Sequence, residues 1–218
     1  MDPAAKSRRT VVKVCGLTRL EDARAARDAG ADWLGFVLTG DTARRVEPER
    51  VAAIAASLPG ATIVAVLVSP TPEEAATLAR QARADRVQLH RVDPLAWPTD
   101  FPLPVTMAVG VERDGSLRET LPPLGPLVLL DAAHSALAGG TGERLPWETA
   151  RVVAATREVL LAGGLDDACV GEALSEVRPF GVDASSRLEV APGIKDPHKV
   201  RRFVAAVRRW EDEHRDGA

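Results

Sequence analysis

The run VVKVC (residues 11–15) ends in one of the chain's two cysteines, and Gly16 follows it. A second apolar run, PLVLLDA (126–132), carries Asp131 next to its end. A free thiol has a pKa of about 8.5 and is ionised to only a few per cent at neutral pH. With a nearby cation or donor it becomes a usable base. A carboxylic acid facing it can give up a proton while the thiolate takes one. One base and one acid, with no Cys/His set at zinc spacing, suit an isomerisation. No Ser–His–Asp grouping, P-loop or G-x-G-x-x-G fingerprint accompanies them.

Other residues able to do chemistry sit in equivalent places. Arg44 and Arg45 follow the run ADWLGFVL (31–38), and His90 ends DRVQLH (85–90). Gly139, Gly140, Thr141 and Gly142 lie in the stretch after Asp131. Gly163 and Gly164 end REVLLAGG (157–164), and Asp183, Ser185 and Ser186 end PFGVDASS (179–186). Glycine turns let several backbone N–H groups converge on one anion. LAGGLDDA also leads toward a helix N-terminus, which favours negative charge. A phosphorylated substrate is therefore expected, provided Asp166 and Asp167 face away from it. Each feature has a duller reading. A lone strand cysteine is more often a small buried hydrophobe, and Cys169 keeps that reading. Asp131 could cap a turn, His90 could be a satisfied core histidine, and Arg44 could be solvated. Their concentration at one end of the runs favours the chemical reading.

The elements that position them alternate. Eight apolar runs rich in Val, Ile and Leu, the others being 61–68 and 103–110, are separated by helical patterns. The almost wholly apolar run ATIVAVLV argues for a parallel sheet covered on both faces. Thr71-Pro72 opens one helix as cap and first position. Residues 112–124 allow only a short helix before Pro122, and 91–101 read as irregular. Eight strand–helix units in 218 residues predict one closed (β/α)8 barrel, with an open doubly wound sheet as the alternative. The single domain spans 1–218, with 1–10 and 211–218 as flexible ends. In such a barrel the residues above all fall on the C-terminal rim, where catalytic groups collect.

The formal net charge of −3 and pI of about 5.9 give no global pull toward nucleic acid or an anionic membrane. No run reaches membrane-spanning length. Two distant cysteines do not form a disulfide framework, and the N-terminus lacks a secretory signal; a soluble cytoplasmic protein is expected.

Taken in order, KVCGLT (13–18), LGFVL (34–38), ARRV (43–46), VQLH (87–90), LLDA (129–132), GGTG (139–142), LAGGL (161–165), GVDASS (181–186) and APGIKD (191–196) resemble the phosphoribosylanthranilate isomerase family from about residue 11 to 208. The resemblance implies a (β/α)8 barrel without cofactor or metal. It implies an Amadori rearrangement in tryptophan biosynthesis, on a small phosphorylated substrate, by a monomer or homodimer. On it, Cys15 would be the general base at ribose C2 and Asp131 the general acid at the ring oxygen. Arg44 would hold the anthranilate carboxylate. Gly139, Gly140, Thr141, Gly142, Gly163, Gly164, Ser185 and Ser186 would cradle the phosphate, and His90 and Asp183 would line the pocket. Three positions depart from the family pattern. Thr42 stands for a serine, and Arg91 and Arg187 stand for glycines. Arg187 either adds charge beside the phosphate turn or, at positive φ, strains it by roughly 1 kcal/mol. Two other readings compete: the related isomerase of histidine biosynthesis, against which Cys15 speaks, and a catalytically inactive phosphosugar-binding barrel.

Overall fold

The eight apolar runs become eight parallel strands in the computed structural model, which describes residues 9–132 and 146–214. They are β1 (Val11–Val14), β2 (Trp33–Val37), β3 (Thr62–Val68), β4 (Arg86–His90), β5 (Val105–Val111), β6 (Leu127–Ala132), β7 (Val159–Leu161) and β8 (Gly181–Ala184). Each pairs with the next, and β8 returns to β1, so the sheet closes without an edge. The doubly wound alternative is excluded by that closure.

Helices α1 (Leu20–Ala29), α2 (Pro48–Ala56), α3 (Pro72–Gln81), α4 (Trp147–Ala154), α5 (Val170–Val177) and α6 (Pro197–His214) surround the barrel. Their ends follow local rules. Pro48 and Pro72 sit in the first turns of α2 and α3, where a missing N–H costs nothing. Thr71 and Glu74 form a reciprocal capping box on α3. Neither β4–β5 nor β5–β6 is joined by a helix. The first connection carries Pro94, Pro98, Pro102 and Pro104, the second Pro122, Pro123 and Pro126. Such spacing removes the donors a helix needs. The short helix expected within 112–124 is replaced by a turn that brings Leu117 back to Val111.

Strand alternation separates two layers. Val12, Val14, Leu34, Phe36, Val128 and Leu130 point outward into the core shared with the helices. The residues between them point into the barrel: Leu129, Leu160 and Ala162 form one inner cluster, Cys15, Val64 and Val66 another. On this inward register lie the buried polar residues Lys13, Gln88, Thr106 and Asp183. A barrel filled only for stability would be apolar there.

Two features differ from the sequence reading. The ends are more firmly built in than expected: Thr10 is buried, its N–H donates to Glu211, and α6 continues through His214. After β8, a short 3-10 helix (Ser186–Leu188) leads into an antiparallel hairpin of β9 (Glu189–Ala191) and β10 (Ile194–Lys195). This hairpin was not anticipated, and it supplies two charged residues to the site.

Candidate active site

A cavity of about 310 Å³ opens at the C-terminal end of the strands. It is lined by Cys15, Arg44, His90, Asp131, Gly163, Gly164, Asp183, Ser185 and Ser186 together with Thr42, Gln88 and apolar strand residues. Thus every expected site residue within the described chain borders one space. Gly139, Gly140, Thr141 and Gly142 lie outside the described residues. A larger cavity, about 720 Å³, opens at the opposite end among Trp33, Trp97, Phe101 and Phe180. Arg86, over the Trp33 ring at 4.3 Å, and Glu158 are the charged residues in its lining. It holds no thiol or acid–base set, so size does not locate the chemistry.

Cys15 is nearly buried at the mouth, its N–H donating to the Ala184 carbonyl at 2.9 Å. A Cβ on Gly35 would meet Cys15 Sγ at 2.9 Å, Lys13 Cε at 3.1 Å and Cys15 Cα at 3.2 Å. The absence of a side chain at Gly35 is therefore what gives the sulfur its room. Gly35→Ala is expected to displace the thiol by a few tenths of an ångström to an ångström. It should lower kcat about 10- to 100-fold, with an overpacking cost of about 1–3 kcal/mol. Steady-state kinetics beside a urea titration separates the two effects; unchanged kcat in a destabilised variant would contradict the placement.

Lys13 was missed by the sequence reading. It lies directly opposite Asp183 across the β1–β8 seam, fully buried, with Nζ 2.7 Å from Asp183 Oδ2. Burial works against the Lys13 ammonium, but the charges and hydrogen bonds of Asp183 and Cys15 outweigh it and hold its pKa above the ordinary lysine value. Burial pushes the Cys15 thiol up, and Lys13 draws it part of the way back. Asp183 Oδ1 and Gln88 Oε1 are buried acceptors without a partner among the described residues.

Arg44 stands where the sequence placed it, but one edge of its guanidinium is in use. Nε and Nη2 bind the two oxygens of Glu189 at 2.9 and 2.7 Å. Lys195 Nζ joins Glu189 Oε1 at 2.8 Å. Burial raises the Glu189 carboxyl, yet hydrogen bonds from Arg44 and Lys195 with their charges hold it below the usual carboxylate range. The fork is thus fixed in orientation, and its Nη1 has no hydrogen-bond partner among the described residues. Thr42 does what a serine would do: its hydroxyl accepts from Arg44 N–H at 3.3 Å.

The anion cradle differs in detail from expectation. Gly163 and Gly164 both have left-handed backbones, with φ of +88° and +70°, which glycine adopts without strain. Asp166 ties the turn before α5, its Oδ1 accepting from Ala168 N and Cys169 N at 3.0 and 3.2 Å. Asp167 is drawn away to Arg202 at 2.9 Å. Both acids are therefore engaged with partners of their own. Ser185 spends its hydroxyl proton on the Cys15 carbonyl at 3.0 Å, so it tethers the strand that carries the thiol. Arg187 is exposed within the 3-10 turn and has no positive φ, so the feared strain is absent. Arg91 does sit at φ +55°, where glycine would be freer.

His90 faces Gln88 across 2.9 Å between their Nε2 atoms. Burial, then the charges of Lys13 and Arg91, lower its pKa to about 4. Its folded value lies below the unfolded value of 6.5, so the unfolded chain binds the proton first. The stability tied to neutral His90 is complete above pH 6.5 and is lost as pH falls toward 4. Between pH 7 and 4 the wild type should lose about 3 kcal/mol more than His90→Gln in urea titrations. Parallel pH curves for the two proteins would rule this out.

Comparison with known proteins follows the same lines. Residues 12–206 match the family model described as N-(5'phosphoribosyl)anthranilate (PRA) isomerase. The N-(5'-phosphoribosyl)anthranilate isomerase of Rubrobacter xylanophilus is 41% identical over 202 residues, covering 90% of this chain and 98% of that protein. Monomers generated from the dimeric enzyme of Thermotoga maritima superpose with a TM-score of 0.76 at 30% identity, covering 91% of this chain and 98% of that one. A phosphoribosyl anthranilate isomerase in complex with reduced 1-(o-carboxyphenylamino)-1-deoxyribulose 5-phosphate does so with a TM-score of 0.74 at 29% identity, covering 91% and 98%.

Proposed function

Since the chain belongs to the N-(5'-phosphoribosyl)anthranilate isomerase family, we propose a division of its reaction among the residues of the cavity. The reaction is the Amadori rearrangement of N-(5'-phosphoribosyl)anthranilate to 1-(2-carboxyphenylamino)-1-deoxyribulose 5-phosphate, a step of tryptophan biosynthesis. Asp131 gives a proton to the furanose oxygen. The bond from C1 to that oxygen breaks, and the substrate nitrogen supplies electrons to form an iminium. Cys15, as thiolate, takes the proton from C2. The C–H electron pair becomes the C1–C2 double bond, and the enaminol then tautomerises to the ketone. Arg44 receives the anthranilate carboxylate on the guanidinium edge that Glu189 leaves open. The N–H groups of Gly163 and Gly164 and the turn of Ser185 and Ser186 receive the phosphate, and Gly139, Gly140, Thr141 and Gly142 are assigned to the same group. His90 and Asp183 border the sugar.

The observation that carries this reading is the meeting of thiol, carboxyl, arginine and glycine turn around one 310 Å³ space. All the assigned residues belong to one chain acting as one domain, so the reading suits a monomer and a homodimer alike. Two free cysteines fit work in a reducing cytoplasm. Among the described residues no helix is long and apolar enough to cross a membrane. The test follows the fluorescence of freshly made substrate with wild type, Cys15→Ser and Asp131→Asn. Both variants should bind a reduced product analogue and lose turnover. A wild type that binds the analogue without turning over substrate would favour an inactive binding barrel.

A further inference from the structure

The least expected charge in the barrel is Lys13. An ammonium with no exposure at all is costly to bury, and it is retained only when paired. Asp183 accounts for one face of it, across the β1–β8 seam. That pair does not explain why the lysine sits two residues before Cys15 on the same inward register. Cys15 Sγ and Lys13 Cε lie 2.9 and 3.1 Å from one point, the empty Cβ position of Gly35. The two side chains thus share one niche, and the charge of the ammonium favours the thiolate.

We propose that Lys13 is the positioning residue of the base: its ammonium, anchored by Asp183, steadies the Cys15 thiolate that takes the proton from substrate C2. The inference deepens the reading of Cys15 as base and rests on it. Other charged or titratable groups also surround the sulfur. Asp183 on β8 opposes the thiolate. Lys195 on β10 favours it from further away. Arg44, in the segment after β2, is engaged by Glu189 of β9. His90 on β4 is neutral near pH 7, and Asp131 on β6 lies in the same cavity. Among the groups acting on the thiol, Lys13 is the strongest charge favouring ionisation. During turnover the C2–H bond breaks, its proton passes to sulfur, and its electron pair stays with the substrate. Lys13 keeps its own proton throughout.

The test reads the thiol without turnover. Unliganded protein is alkylated with iodoacetamide across a pH series, and modification at Cys15 is followed by peptide mass spectrometry, which separates it from Cys169. Lys13→Met should move the alkylation midpoint upward by a pH unit or more, making modification about tenfold slower at a fixed pH below the midpoint. Asp183→Asn removes the opposing anion and leaves the ammonium to the sulfur, so its midpoint should move downward. The rising limb of kcat/KM in Lys13→Met should follow its alkylation midpoint. Opposite shifts support the proposal; no shift, or shifts in one direction, overturn it. If Lys13→Met does not fold, Lys13→Gln takes its place: an upward shift supports the assignment, and an unchanged or downward one ends it. Failure of the base assignment itself looks different. In that case the alkylation midpoints shift as described while Cys15→Ser retains activity.

Discussion

Cys15→Ser should lose about 10³-fold or more in kcat, with KM changed by no more than a few-fold. Removing a general base costs about 10²- to 10⁴-fold, or roughly 3–5 kcal/mol of barrel-bound transition-state stabilisation. The upper half of that range applies here because the replacement cannot ionise near neutral pH. His90 is a poor substitute, since its low pKa makes it a weak base. Serine has nearly the same shape, and the sulfur rests against Val64 and Val66 rather than filling a deep core. Folding and phosphate binding should therefore survive. Loss of kcat at preserved KM is the signature of an interaction made in the transition state. A variant that turns over at the wild-type rate would remove the thiol from the mechanism.

The sequence revealed the rim of the site better than its floor. Cys15, His90 and Asp131 each lie at or next to the end of an apolar run, and a closed barrel turns such ends into one ring. Lys13 is two residues deeper in the first run and was read simply as part of a strand. The period-2 alternation of VVKVC would have found it, because whatever direction Cys15 faces, Lys13 shares. Gln88 stands in the same relation to His90. Glu189 and Lys195 were hidden for another reason: their hairpin is too short to show a pattern, and its effect on Arg44 depends on a fold-back after β8. Side-chain economy within the site was equally invisible. Nothing local in the sequence says that Ser185 donates to the Cys15 carbonyl, or that Asp166 ties the turn before α5. The helix expected in 112–124 failed to form because Pro122 and Pro123 follow a turn centred on Gly115. The two departures from glycine proved unlike: Arg91 occupies a left-handed position, whereas Arg187 lies in ordinary helical turn geometry.

Asp131→Asn should also lose turnover, by about 10²- to 10⁴-fold, but for a different step. Asparagine keeps the shape of the side chain and can still donate a hydrogen bond. It cannot transfer a proton to the ring oxygen. Ring opening would then have to rely on water or on an uncatalysed departure of the alkoxide, and it would become the slow step. Abstraction of the C2 proton comes after it. Substrate carrying deuterium at C2 separates the two roles. In Cys15→Ser the C–H bond breaks in the limiting step, so deuteration should slow turnover further. In Asp131→Asn the limiting step leaves that bond intact, and the isotope effect should fall to about 1. The position of Asp131 supports this order: it is presented from β6, on the inward register of Leu127 and Leu129, while Cys15 comes from β1. The proposed acid and base thus come from separate strands and can act on different atoms of the sugar. A full isotope effect in Asp131→Asn would mean that the carboxyl assists C2 deprotonation instead of opening the ring.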